Sequence, residues 1–176
     1  MQTIETHLKG AFLVKLEKLD DFRGFFERVY CFNEFKKIGI NKTILQINSS
    51  YSSKKGTIRG LHYQVEPCAE IKIMRCIQGE VFDVIIDLRP ESKTYCQWVG
   101  TKLTAKDSTL LVVPEGFAHG CQSLVDHTEI MYPVTACYSP KHERGIRWND
   151  PLFNIEWPVL DPIVSDKDKS FPDFKI

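Results

Sequence analysis

Five polar side chains stand in runs that are otherwise largely apolar. They are Arg59 and His62 in TIRGLHYQ (57–64), Lys72 in EIKIMRCIQ (70–78), His119 in AHGCQSLV (118–125) and Tyr132 in EIMYPVTACYS (129–139). A charged group that faces the inside of a β structure is costly unless it is paired or used. These residue types supply proton acceptors or metal ligands (histidine), fixed positive charge (lysine, arginine) and a weak acid (tyrosine). His62 alone has three readings: general base, metal ligand, or strand histidine. Strand alternation puts Lys72, Met74 and Cys76 on one face, with Ile71, Ile73 and Ile77 on the other. It also groups Ile130, Tyr132, Val134 and Tyr138. Parity does not say which face is inward.

The elements that must position these groups are strands. AFLVKLEKL (11–19) and RGFFERVYCF (23–32) flank a DDFRG turn and read as a hairpin. NEFKKIGI (33–40) reads as a short helix ended by Gly39. Runs at 44–52, 57–64, 70–78, 80–88, 97–104, 109–116, 118–125 and 129–139 follow, with a tight turn at Gln78-Gly79. Short strands at this spacing, broken by Gly, Pro, Asn and Asp, predict an all-β sandwich or closed barrel with a few short helices. The tail WPVLDPIVSDKDKSFPDFKI (157–176) reads as an extended arm, whose apolar residues Trp157, Val159, Leu160, Ile163, Val164, Phe171 and Phe174 favour docking on the body.

The 176 residues, 43% of them hydrophobic, suit a single domain over 1–176. Charge is balanced, 23 Lys+Arg against 23 Asp+Glu, so nothing points to nucleic acid or a membrane surface, and an anionic ligand needs a local cluster. The start lacks the charged head and apolar core of a signal peptide, and no apolar run reaches membrane-spanning length. The six cysteines form no C-x-x-C pair and read as reduced thiols in the cytoplasm.

PEGFAHG (114–120) resembles the second half of the cupin signature, a turn that feeds His119 into a strand facing a barrel interior. Many cupin-like barrels hold a metal, and the first half of the signature then carries His-x-His. Here that place reads His62-Tyr63-Gln64, and an amide is a poor ligand for such metals, although Glu70 and His119 could still complete a site with His62. The jelly-roll barrel is therefore expected, and a metal or other cofactor is not.

The motifs DDFRGFFE, RGLHYQ, EIKIMRCIQGEVFDVIIDLRPES, VPEGFAHG, YPVTACYSPKHERGIRWNDP and IVSDKD together resemble the dTDP-4-dehydrorhamnose 3,5-epimerases, in order from about residue 10 to about residue 170. The resemblance implies a metal-independent, cupin-like jelly roll, a homodimer, acting on a nucleotide-linked 4-keto-6-deoxy sugar. The C4 ketone acidifies the hydrogens on C3 and C5; a base removes one, giving an enolate, and an acid returns a proton on the opposite face. The resemblance implies His62 as base, suited by an imidazole pKa of about 6.5. It implies Asp168 as the carboxylate that orients the ring, Lys72 as enolate stabiliser and Tyr132 as acid. One donor to a developing oxyanion is worth about 3–4 kcal/mol. It further implies substrate contacts at Arg59, His119, Gln46, Ile47, Asn48, Tyr138, Glu143 and Lys167. Arg23 matches a nucleotide-contacting arginine, in a site completed by a neighbouring subunit.

Two positions depart from the family pattern. The glutamate expected five residues after Arg23 is replaced by Arg28, with Glu27 one place earlier and so on the other strand face. After Tyr132 stands Pro133, which suggests an edge strand or a bulge. These departures bear on the nucleotide and on whether C3, C5 or both are inverted. Competing readings are a single-centre epimerase on a CDP- or GDP-linked sugar, a 3,4-ketoisomerase, a metal-dependent cupin oxygenase and a non-catalytic sugar-binding barrel.

Overall fold

The computed structural model describes residues 1–176. The chain folds as two facing sheets, the jelly roll expected from the strand pattern. The first contains β1 (Gln2–Glu5), β2 (Phe12–Lys15), β5 (Gln46–Ser52), β7 (Lys72–Gln78), β10 (Thr109–Val113) and β12 (Thr128–Val134), in the order β1-β2-β10-β7-β12-β5. The second runs β13-β6-β11-β8-β9, from β6 (Thr57–Gln64), β8 (Glu80–Asp87), β9 (Trp98–Thr104), β11 (Phe117–Ser123) and β13 (Glu143–Gly145). From β5 to β13 every connection except β8–β9 crosses between the sheets. Gly79, at φ 75°, thus turns the chain from one sheet to the other rather than closing a hairpin.

Three apolar layers follow. Between the sheets lie Met74, Cys76, Val81, Ile85, Leu111, Phe117 and Cys121. Outside the first sheet, Phe35 of α1 (Phe32–Lys37) covers Val14, Ile73 and Val112. Outside the second, Phe153, Trp157 and Val164 cover Ile58, Leu61, Val84 and Ile86. Alternation can now be given a direction. Met74 and Cys76 face the interior and Ile73 the outer layer, so Lys72 points between the sheets.

The expected hairpin is β3 (Lys18–Asp21) with β4 (Gly24–Glu27), much shorter than the apolar runs around it. The C-terminal arm is not simply extended. β14 (Ile163–Val164) pairs in parallel with β6, and a one-turn helix, α2 (Asp166–Lys169), follows with Ser165 Oγ capping the Asp168 N–H. Trp157 and Val164 dock, but Leu160 and Ile163 remain exposed. The N-terminal strand β1 was not anticipated. No helix is long and apolar enough to cross a membrane.

Candidate active site

The site begins with an irregularity in β6. His119 opposes His62, but Cys121 opposes Arg59, so β6 carries one extra residue between those pairs. In a regular strand, residues three apart face opposite ways; a bulge restores them to one face. Arg59 and His62 therefore both look between the sheets, while Ile58 and Leu61 sit in the outer layer. Gly60 allows this: its φ is 118°, and a Cβ would lie 2.6 Å from Gly120 Cα.

The arm brings Asp168 to this bulge. Its Oδ1 lies 2.7 Å from His62 Nε2, and its Oδ2 accepts the Gly60 N–H at 3.2 Å. Burial pushes the Asp168 carboxyl up, but the His62 hydrogen bond and charge and the Gly60 N–H outweigh it and hold the group below its ordinary value. Phe171, from the same arm, presents itself edge-on to the imidazole at 5.5 Å between ring centroids. Gly145 has no side chain because Phe171 fills that space, with ring atoms 2.4–2.5 Å from where a Cβ would be.

Lys72 and Tyr132 stand on the opposite sheet. Lys72 Nζ is buried, 3.4 Å from the His62 carbonyl and 3.4 Å from Glu70 Oε1. Burial, aided by Cys121 and Glu70, pushes the Tyr132 phenol up, so it keeps its proton through the neutral range. A cavity of about 300 Å³ separates these two from His62. A flat ring placed there meets an imidazole paired to a carboxylate from one sheet, and an ammonium and a phenol from the other. That is the equipment for removing a proton on one face and returning it on the other.

The other expected contacts divide. Gln46 and Asn48 line the cavity from β5, joined by a 2.7 Å hydrogen bond. At the rim, Glu143 accepts from Lys167 Nζ at 2.7 Å and from the Tyr138 hydroxyl at 3.0 Å. Burial pushes Glu143 up, but these two donors, Lys167 foremost, hold its carboxyl below the usual range. Tyr138 lies beyond the end of β12, so parity with Tyr132 does not place it; the loop after Val134 does. Arg59 donates to Ser52 Oγ and the Tyr51 carbonyl. His119 Nε2 pairs with Asp83 Oδ1 at 2.8 Å, deep in the same space.

One expectation needs correction. Ile47 alternates with Gln46 and Asn48, so its side chain lies on the outer face, 62% exposed, and does not line the cavity. Arg23, expected at a site completed by a neighbouring subunit, sits in the β3–β4 turn, paired with Asp21, and does not line the cavity of its own chain. Pro133 is neither at an edge nor at a bulge. β12 lies between β7 and β5, and its pairing with β7 skips Tyr132 and Pro133 before resuming at Val134–Lys72, so the missing N–H leaves no broken bond.

Sequence reasoning passed over Asp83 and gave Glu70 no part in proton transfer. Asp83 was visible as the lone charge among the inward residues Val81 and Ile85. Gln64, in the place of a second histidine, pins two loops. Its amide donates to the carbonyls of Cys68 and Cys137 and accepts from the Ser139 N–H.

The family model for dTDP-4-dehydrorhamnose 3,5-epimerase matches residues 5–175. The chain belongs to this family. It is 44% identical over 169 residues to the dTDP-4-dehydrorhamnose 3,5-epimerase of Shigella flexneri, covering 96% of this chain and 93% of the relative. It also resembles the crystal structure of the Bacillus anthracis epimerase with TDP and PPi bound, at TM-score 0.96 and 44% identity, over 98% of this chain and 99% of the other. A third similar structure is the Legionella pneumophila dTDP-6-deoxy-D-glucose-3,5-epimerase in complex with dTDP-4-keto-L-rhamnose, at TM-score 0.93 and 33% identity, covering 98% and 92%. Set in this epimerase family, the exchange at 27 and 28 has a clear structural outcome. Glu27 is buried and bound to Arg75, while Arg28 pairs with Glu34 at 2.8 Å. Neither side chain is free to act as the displaced carboxylate would.

Proposed function

We propose that this chain is an isomerase that inverts C3 and C5 of a dTDP-linked 4-keto-6-deoxy sugar, with His62 as base, Asp168 as its orienting carboxylate, Lys72 at the enolate oxygen and Tyr132 as acid. One observation carries the assignment of roles: the His62–Asp168 pair on one sheet faces Lys72 and Tyr132 on the other across the cavity. His62 takes the proton alpha to the ketone and becomes an imidazolium, which Asp168 stabilises. The electron pair moves to the C4 oxygen, where Lys72 meets it. Tyr132 then donates to the carbon from the other side. Arg59, His119, Gln46, Asn48, Tyr138, Glu143 and Lys167 hold the substrate. Gln64 spends its amide on the loops and is not available as a second ligand beside His62.

The nucleotide end is completed by a second copy of the chain. The Arg23 side chain, 75% exposed and not part of its own chain's cavity lining, supports a role in a partner's site. The six free thiols suit work in the cytoplasm, as one domain of 176 residues. Because Arg28 stands where the family carries a carboxylate, the nucleotide is the open variable. The test is a panel of dTDP-, CDP- and GDP-linked 4-keto-6-deoxy sugars in deuterium oxide, read by NMR. Deuterium is expected at C3 and C5 of the dTDP sugar, and His62→Ala is expected to abolish it. Label at C3 alone would favour the single-centre reading, and no label in any sugar would refute epimerisation.

A further inference from the structure

Glu70 is the only carboxylate on the wall that holds Lys72 and Tyr132. Asp168 and Asp83 lie behind their histidines, and Glu143 is taken up by Lys167 at the rim. Its side chain is 11% exposed, and Oε1 lies 3.4 Å from Lys72 Nζ. The groups facing it are Lys72 from β7, His62 and the neutral Gln64 from β6, His119 from β11 and Tyr132 from β12. Neither of the two oxygens near Lys72 Nζ is at short hydrogen-bonding distance, so the ammonium keeps a donor for a third partner in the cavity.

We propose that Glu70 is a positioning residue that governs the enolate-stabilising charge of Lys72: ionised, it offsets that charge and slows enolate formation; protonated, it leaves the charge whole. The proposal rests on the epimerase reading above. In the empty cavity, the carboxylate is the counter-charge of a buried ammonium. When the enolate forms, a second negative charge arrives at the same ammonium, and two anions then share one cation in a water-poor space. Only the neutral form of Glu70 relieves that repulsion. Burial pushes the Glu70 carboxyl up from its ordinary value, with Lys72 opposing. The rate of the chemical step therefore falls as pH rises through the Glu70 ionisation, an effect distinct from the gain as His62 loses its proton.

The test is Glu70→Gln, a neutral isostere, with first-turnover deuterium incorporation measured against pH at saturating substrate. The variant is expected to lose the decline that accompanies Glu70 ionisation and to run about tenfold faster above it, the equivalent of one pKa unit of charge interaction. KM should change little. Glu70→Asp, which keeps the charge, should keep the decline. If Glu70→Gln does not accumulate as folded protein, Glu70→Ala reads the same limb. A parallel fall in rate at every pH, or an unchanged profile, overturns the proposal. Failure of the wild-type protein to exchange any 4-keto sugar would instead overturn the epimerase reading beneath it.

Discussion

Tyr132 separates two events that the cavity couples. In the proposed mechanism, breaking the carbon–hydrogen bond uses His62, Asp168 and Lys72, and inversion also uses a donor on the far face. Burial keeps the phenol protonated, and its strand lies opposite His62. Tyr132→Phe is therefore expected to cut inversion by roughly 10²–10⁴-fold, the usual worth of a positioned acid, while sparing much of the deuterium exchange carried by His62 with Asp168 and Lys72. NMR of recovered substrate and product measures both; equal loss of the two would refute the assignment. The residues of this set were legible because the motif resemblance runs through them in order. Their partners were less so. Asp83 meets His119 from 36 positions away, and only the strand order decides which carboxylate faces which ring. Asp168 was named through the resemblance; its contact with His62 spans 106 positions and depends on how the arm returns along β6. Ile47 was misplaced because a motif match does not carry strand parity with it.

At the scale of elements, alternation foretold most strands, yet the one that matters most breaks it. The extra residue at Gly60 puts Arg59 and His62 on one face, and no pattern of apolar residues around TIRGLHYQ announces it. The β3–β4 hairpin and the α1 stop at Gly39 were readable from turn chemistry, whereas β1 and α2, short polar segments held by neighbours, were not. The loop after β8 is also held by a polar group rather than by pattern. Asp87, fully buried, accepts from Arg89, Ser92 and Thr94. Burial pushes its carboxyl up, but these donors overcome that and bring it from 3.8 to about 2. The folded form thus prefers the ionised group, and this stability is present above the unfolded value and lost as pH falls toward the folded one. It amounts to about 2 kcal/mol by linkage. Asp87→Asn should lose about that much at pH 7 in urea unfolding, and the gap to wild type should close as pH falls from about 4 toward about 2. A gap that stays constant down to that pH would show that shape, not charge, holds the loop.

For the whole molecule, the balanced net charge leaves local surfaces to decide association. Phe22, Phe25 and Phe26 of the β3–β4 hairpin are 98%, 55% and 61% exposed, an unusual display for a soluble surface. Glu27 of that hairpin binds Arg75, which alternates with the inward Met74, so the hairpin lies on the outer side of the first sheet. Ile47 and Tyr51 of the edge strand β5 open to the same side, since Gln46 and Asn48 face in. One surface therefore joins exposed aromatics, an edge strand and Arg23, and a two-fold copy would cover all three while bringing Arg23 toward a second cavity. The double variant Phe22→Ser/Phe25→Ser is expected to shift the protein from dimer to monomer in analytical ultracentrifugation at micromolar concentration. The monomer should fold, because none of these rings enters the three apolar layers. Its KM for the nucleotide sugar should rise about tenfold or more, the cost of losing one charge-assisted phosphate contact, and Arg23→Ala should reproduce that rise without dissociating the dimer. A wild-type protein that sediments as a monomer, or a monomeric variant with unchanged KM, would rule out the shared site.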